Sequence, residues 1–397
     1  MAVAAVTARG DTRAILALNS GSSSLKFGLY HVGPSKTEVL VSGQVEAIGQ
    51  ADASFQAIGG VRAEPFSEAM PLASQKDAVT RIGKFLADGK YPLPAAVGHR
   101  LVHGGPRLLR HCLIDAAVLD QLKNAIPFAP LHIPAALAVI RFIQADFPNC
   151  PQVACFDTSF HADMPDVART LPIPKALRSE GIKRYGFHGL SCESIVHRLA
   201  DRLPARLIVA HLGNGASVTA IRNGQSVDTS MGLTPTGGVI MGTRTGDLDP
   251  GVLVYLIREK KLDATALEDM VDRKSGLLGI SGVDSDMRRL HGAASSNKDA
   301  RLAIEMFCYS VRKQIAAMIA VLGGVDMVVF TGGIGENDEV VRAMICDGLS
   351  WAGIGQPEQL SWTVRETVSG DNVCVLPSQE DEQIARHTWA IQKKSFR

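Results

Sequence analysis

Four cation-bearing side chains, Arg100, His132, His188 and Arg244, fall in stretches crowded with glycine and proline: "GHRLVHGG", "PFAPLHIP", "RYGFHGLS" and "TPTGGVIMGTRTGDLDPG". Such stretches predict irregular backbone, where function concentrates on a rigid scaffold. A guanidinium fork suits phosphate oxygens. Asp157 ends the apolar run "QVACFD", which suits it to bind Mg²⁺ or position a nucleophile; it equally suits a cap for a helix begun by Thr158 and Ser159. The chain has no G-x-S-x-G elbow and no Cys/His cluster at metal-ligand spacing. Two arginines, two histidines and one carboxylate therefore point to phosphoryl transfer, in which a protein mainly positions groups and neutralises charge.

Several glycine- and serine-rich turns would supply the phosphate contacts. In "LALNSGSSSLKFGLY", Leu16 to Tyr30, apolar residues alternate on either side of a small polar centre, which reads as a β-hairpin. Its backbone N–H groups, the hydroxyls around Ser22 and the Lys26 ammonium could cradle a phosphate, and a plain surface hairpin would have the same pattern. "RLIVAHLGNGASVTAIRNGQSVDTS", Arg206 to Ser230, repeats the plan, with a hairpin turn at Asn223-Gly224. Two such hairpins half a chain apart suggest two domains of similar design. "FTGGIGEN" follows the apolar "DMVVF" and offers Gly332, Gly333 and Gly335 for close approach of a nucleotide, or for an ordinary strand-to-helix turn. Neither GxGxxG nor GxxxxGK[ST] occurs, which disfavours a dinucleotide fold and a P-loop. The segment Asp228 to Gly251 holds five Thr, six Gly and one Arg, a long structured loop around Arg244.

The elements that must hold these residues alternate between strand and helix. "AAVLDQLKNAI", "AALAVIRFIQADF", "VLVYLIREKKL", "ATALEDMVDRK", "ARLAIEMFCYSVRKQIAAMIAVLG" and "EDEQIARHTWAIQKK" have helical periodicity, so the class is α/β. With 397 residues and 46% hydrophobic content the chain is long enough for two domains. The hinge is expected near residues 155–165. Lys+Arg 41 against Asp+Glu 40 leaves +1, which gives nucleic acid no electrostatic footprint. Seven cysteines without a CxxC pair read as free thiols in a reducing compartment. No apolar run reaches membrane-span length and the N-terminus lacks a signal-peptide core, so the expectation is a cytoplasmic protein without membrane partners.

From about Ala14 to Ala390 the chain resembles the acetate and propionate kinase family. "LNSGSSSLKF", "GHRLVHGG", "FDTSFH", "RYGFHGLS", "HLGNGAS", "MGLTPTGGVIMGTRTGDLDPG", "SGVDSDMR" and "FTGGIGEN" stand in the family's order. The resemblance implies the two-domain actin, Hsp70 and sugar kinase superfold, with duplicated ribonuclease H-like α/β domains and an interdomain nucleotide cleft. Domain I would span 1–156 plus 382–397. Domain II, for nucleotide binding and dimerisation, would span 157–381. The implied reaction is ATP + acetate ⇌ ADP + acetyl phosphate, with Mg²⁺ or Mn²⁺, in a homodimer.

By matching motif, Arg100 and Arg244 would flank the phosphoryl group and the substrate carboxylate, His188 would hydrogen-bond the phosphoryl in the transition state, and His132 would support the same charge. Asp157 would orient acetate or hold the metal, with Asn19 and Glu380 in the metal shell. Ser22, Lys26, His211, Asn214 and Gly215 would meet the nucleotide phosphates. Asp286, Met287, Arg288, Gly332, Gly333, Ile334, Gly335 and Asn337 would line the adenosine site. Val102, Leu131, Phe187 and Pro235 would enclose the acyl methyl. The chain departs from the family at Gln379-Glu380-Asp381, at Thr236-Gly237-Gly238 and at Asp284, which would add negative charge near the nucleotide. Two other readings stay open: a kinase favouring propionate, since one methylene is worth only about 1–3 kcal/mol, and a non-catalytic nucleotide switch on the same superfold. The Arg/His set, and the lack of a following peptide-binding domain, speak against the switch.

Overall fold

The computed structural model describes residues 12–21, 23–59, 62–130, 132–355 and 372–395. Ser22 and Leu131 therefore lie outside the described residues. The chain divides into two compact units: residues up to Ser159 with Gln379 onward, and Phe160–Ser378. Residues 157–159 and 379–381, assigned by the resemblance to domain II, go with the first unit. There Asp157 is bonded to Arg100, and the helix Glu380–Ser395 packs on the first sheet.

The first unit is an eight-stranded sheet. In chain order its strands are β1 (Arg13–Ser20), β2 (Leu25–Val32), β3 (Thr37–Glu46), β4 (Ser54–Gly59), β5 (Arg62–Ala69), β6 (Ala96–Leu101), β7 (Cys112–Leu113) and β8 (Gln152–Phe156); in space they run β5-β4-β3-β2-β1-β6-β8-β7. The hairpin expected from Leu16 to Tyr30 is β1–β2, with Asn19 opposite Lys26. Leu25, Phe27 and Leu29 alternate into the core with Val41, Val45 and Phe55. β8 is buried along its whole length, between β6, to which it runs parallel, and the short β7.

β6 departs from the sequence expectation. Arg100, expected in irregular backbone, lies on this strand, because "AVGHRL" pairs parallel to β1 on one side and β8 on the other. Gly98 serves a different purpose from a turn. A Cβ there would stand 2.1 Å from Thr388 Oγ1, so its absence lets the C-terminal helix lie directly on β6.

The second unit has a five-stranded sheet, order β11-β10-β9-β12-β13, from β9 (Arg206–Leu212), β10 (Ala216–Arg222), β11 (Gln225–Thr229), β12 (Met327–Thr331) and β13 (Val373–Val375). β9, β10 and β11 are antiparallel, while β9, β12 and β13 run parallel. The strands β3-β2-β1-β6-β8 of the first unit follow the same sequence of directions. Each unit is thus built on one plan, a meander feeding a parallel pair, as the two hairpins suggest.

The helix Lys298–Leu322 packs on β9, β10 and β11 and buries Ala303, Phe307, Val311, Ile315 and Met318, a stripe at helical spacing. Asn297 caps it by accepting from the amides of Asp299 and Ala300, and Gly323 ends it at φ +69°. No helix among the described residues is long and apolar enough to cross a membrane.

Candidate active site

In the first unit, Asn19, Arg100 and Asp157 stand at or just beyond the carboxyl ends of three adjacent parallel strands, the edge where α/β sheets bind ligands. Arg100 Nε donates to both Asp157 oxygens at 3.1 and 3.0 Å, and Nη2 donates to Oδ2 at 2.5 Å. Arg100 Nη1 donates to Asn19 Oδ1 at 3.0 Å, and Asn19 Nδ2 donates onward to Glu380 Oε2 at 3.3 Å. The close approach at Gly98 sets the helix bearing Glu380 against the strand bearing Arg100.

Negative charge is in excess here. Burial alone would lower the Arg100 guanidinium, but Asp157 and Glu380 more than offset this and hold it above its ordinary value. Burial raises the Asp157 carboxyl against the pull of Arg100, and Glu380 adds to the rise. Burial, then Glu380, pushes Asp381 up to about 6. Asp381 Oδ1 is shut from solvent with no hydrogen-bond partner among the described residues. Three carboxylates, one with an unpartnered oxygen, suit a hard divalent cation. Sequence reading noted Asp381 only within the departure at Gln379-Glu380-Asp381 and gave it no ligand role. Lys26 lies across the hairpin from Asn19, and its charge lowers Asp381. Val102 is buried just after β6, and His132 begins the helix Ile133–Asp146.

In the second unit, His188 stands at the start of the helix Gly189–Leu199 with left-handed backbone, φ +56° and ψ +26°. Its Nδ1 meets Ser217 Oγ at 2.9 Å, and its ring stacks on His211 with centroids 4.1 Å apart. His211 Nδ1 is held by Ser191 Oγ at 2.8 Å. The turn between β9 and β10 carries Asn214 and Gly215. A Cβ on Gly215 would lie 3.3 Å from Arg244 Nη1 and 3.4 Å from His188 Nε2, so both nitrogens converge on this turn.

Arg244 is held by its loop. Its Nη1 donates to Pro235 O at 3.1 Å. Thr236 donates to Asp272, the Gly238 amide to Asp247, and the Leu277 and Leu278 amides to Met241 and Gly242. The departure at Thr236-Gly237-Gly238 is thus built into the bonding that fixes the loop. Phe187, expected beside the acyl methyl, is buried next to His188.

A cavity of about 800 Å³ opens within the second unit. Asn214, Asp286, Met287, Arg288, Gly333, Ile334 and Asn337 line it, with Gly213, Ser285, His291, Asp338, Glu339 and Val340 added by the structure. Gly332 and Gly335 lie buried rather than in the lining, and the Gly332 amide is taken by Glu336 Oε1 at 2.9 Å. His211 and Gly215 are likewise absent from the lining. Asp284 does not turn its charge into the cavity; Arg289 Nη1 meets its Oδ2 at 2.9 Å. His291 Nε2 and Asp338 Oδ2, 2.8 Å apart, pair in the wall, a contact that the sequence separation conceals.

The sequence matches the Acetokinase family over residues 14–386. An acetate kinase of Nitrobacter hamburgensis is 42% identical over 389 residues, covering 95% of this chain and 96% of the relative. One from Methylocella silvestris is 39% identical over 402 residues, covering 96% and 98%. Among solved structures, a propionate kinase from Francisella tularensis has a TM-score of 0.87 at 37% identity, and Porphyromonas gingivalis acetate kinase 0.82 at 36%; each comparison covers 96% of this chain and 100% of the other.

Proposed function

Since the chain belongs to the acetokinase family and catalyses ATP-dependent phosphorylation of acetate to acetyl phosphate, we propose that residues of each unit take separate tasks in the reaction. Acetate is ionised at neutral pH and needs no general base. It needs relief from repulsion by the triphosphate, and the residues divide that task. Arg100, oriented by Asp157 and Asn19, receives the carboxylate. The cavity lined by Asn214, Asp286, Met287, Arg288, Gly333, Ile334 and Asn337 takes the adenosine end of ATP. His188 Nε2 and Arg244 Nη1 donate to the transferring phosphoryl group in an in-line displacement. Their convergence on Gly215 is the observation that carries this reading.

His132 supports the charge on the acetate side, and the acyl methyl is assigned to Val102 of the first unit and to Phe187 and Pro235 of the second. Asp381 and Glu380, the latter oriented by Asn19, would hold Mg²⁺, which would supply neutralisation of charge on the phosphate oxygens. Steady-state kinetics test the division: Arg100→Ala should raise KM for acetate and leave KM for ATP unchanged, and Asn337→Ala should do the reverse. Equal effects of both variants on both constants would overturn it.

Propionate is a second substrate in this reading, favoured by the likeness to a propionate kinase. An added methylene costs about 1–3 kcal/mol in such a pocket. Comparison of kcat/KM for the two acids measures the preference directly.

A homodimer fits the surface of the second unit. The helix Pro250–Lys260 buries none of its residues and exposes Val252, Val254, Tyr255 and Ile257, and the helix Lys298–Leu322 exposes Leu302, Met306 and Tyr309. Apolar faces of this kind suit a second copy of the chain. Ile257→Asp should shift the sedimenting species from dimer to monomer. The seven free cysteines favour the reducing cytoplasm.

A further inference from the structure

His161, in the motif "FDTSFH", has no role assigned above, and it meets the substrate residue Phe187 only through that residue's backbone carbonyl. It is buried, and both ring nitrogens are engaged: Nε2 meets Phe187 O at 3.0 Å and Nδ1 meets Ser226 Oγ at 2.8 Å. A carbonyl only accepts, so Nε2 carries the proton and Nδ1 accepts from the serine hydroxyl. Burial holds the ring down at about 4, which keeps this neutral form at working pH. The contact is enforced by shape. Gly186, at φ +75°, passes so close that a Cβ there would lie 2.7 Å from the His161 ring and 2.5 Å from Thr229 Cγ2.

The carbonyl that His161 holds belongs to the peptide bond joining Phe187 to His188. His188 has left-handed backbone, which a residue with a Cβ adopts only when its surroundings impose it. Fixing Phe187 O fixes that peptide plane, and with it the direction in which the His188 side chain leaves the backbone. Ser217 then sets the rotation of the ring through Nδ1. We propose that His161 is the positioning residue for His188: Ser226 fixes the tautomer, Nε2–H locks the Phe187 carbonyl, and the locked peptide aims His188 Nε2 at the phosphoryl group. This rests on the role given to His188 above.

The test is a double-mutant cycle on kcat with acetate and Mg²⁺-ATP, made on the full chain. His161→Asn removes the donor to Phe187 O and should lower kcat roughly 10- to 100-fold, the scale of a misplaced transition-state contact, with KM for ATP unchanged. His161→Gln retains a donor near the Nε2 position and should recover most of that loss. In a His188→Ala background, His161→Asn should cost nothing further. Equal losses in both backgrounds, or no loss from His161→Asn alone, would overturn the positioning role while leaving the function of His188 intact. Unchanged kcat in His188→Ala alone would remove His188 from the transition state, and the positioning role with it. If His161→Asn does not fold, Ser226→Ala interrupts the same chain of contacts and should show the same dependence on His188.

Discussion

Arg100 and Asp157 meet through a guanidinium fork whose nearest contact is 2.5 Å, with the carboxylate buried and the arginine partly open. The two ends of this pair are not equivalent. Removing Arg100 leaves a buried carboxylate without its partner, whereas removing the charge of Asp157 leaves a guanidinium that water can reach. Arg100→Ala should therefore cost about 3 kcal/mol of stability, and Asp157→Asn distinctly less. Urea denaturation of the two variants checks the order. Both should lose turnover, since each disturbs the group proposed to receive acetate.

Arg244 is held by a loop whose own bonds do not need its side chain: Thr236 to Asp272, Gly238 to Asp247 and Leu277 to Met241. Arg244→Ala should accordingly lower kcat by roughly 10³-fold, the scale of arginine contacts in phosphoryl transfer, with only a small drop in melting temperature from the lost bond to Pro235 O. Arg244→Lys should recover little, because an ammonium cannot reproduce the planar fork. A loss below about tenfold in Arg244→Ala would take this side chain out of the transition state.

Two glycines separate chemistry from nucleotide binding. A Cβ at Gly215 would press on Arg244 Nη1 and His188 Nε2, at 3.3 and 3.4 Å. Gly215→Ala should lower kcat by about tenfold or more, as expected when a catalytic contact is displaced. A Cβ at Gly242 would stand 2.3 Å from Asn214 Oδ1, in the cavity wall. Gly242→Ala should raise KM for ATP and leave KM for acetate as it was.

Acid should destabilise the protein through two buried histidines. His99 donates from Nε2 to Gln152 Oε1 at 2.7 Å, and burial holds it, like His161, down at about 4. In the unfolded chain each returns to about 6.5. Above that value neither state is protonated and their contribution is complete. As pH falls from about 6.5 to about 4, the unfolded chain binds two protons that the folded chain refuses, and stability drops by about 1.4 kcal/mol per unit for each histidine. Urea midpoints measured over this range should fall steadily toward acid, and a His99→Phe variant should have a shallower slope.

The parts legible in the sequence are those with a local signature. Leu25, Phe27 and Leu29 announce β2 by alternation, and the apolar stripe from Ala303 to Met318 announces the long helix. The strands β3 and β4 went unread because partly exposed positions blur their period, and the helix Gln75–Asp88 went unread although its buried Ala78, Val79, Ile82 and Leu86 fall at helical spacing. Arg100 was singled out as a chemical residue but assigned to a loop; Gly98 beside it marks a close-packed helix, whereas Gly105, at φ +67°, does lie in a turn. Asn214, Asp286 and Gly333 were found because their motifs are short and contiguous, and the cavity brings them together. His161 with Phe187, His291 with Asp338 and Asp381 with Lys26 are pairs made by folding. No spacing in the sequence marks them.

The stereochemical course of transfer tests the central claim most directly. ATP made chiral at the γ-phosphorus, turned over with acetate, should yield acetyl phosphate of inverted configuration, the outcome of one in-line displacement from nucleotide to acetate. Retention would mean two displacements through a phosphorylated side chain, and would contradict direct transfer from ATP to acetate.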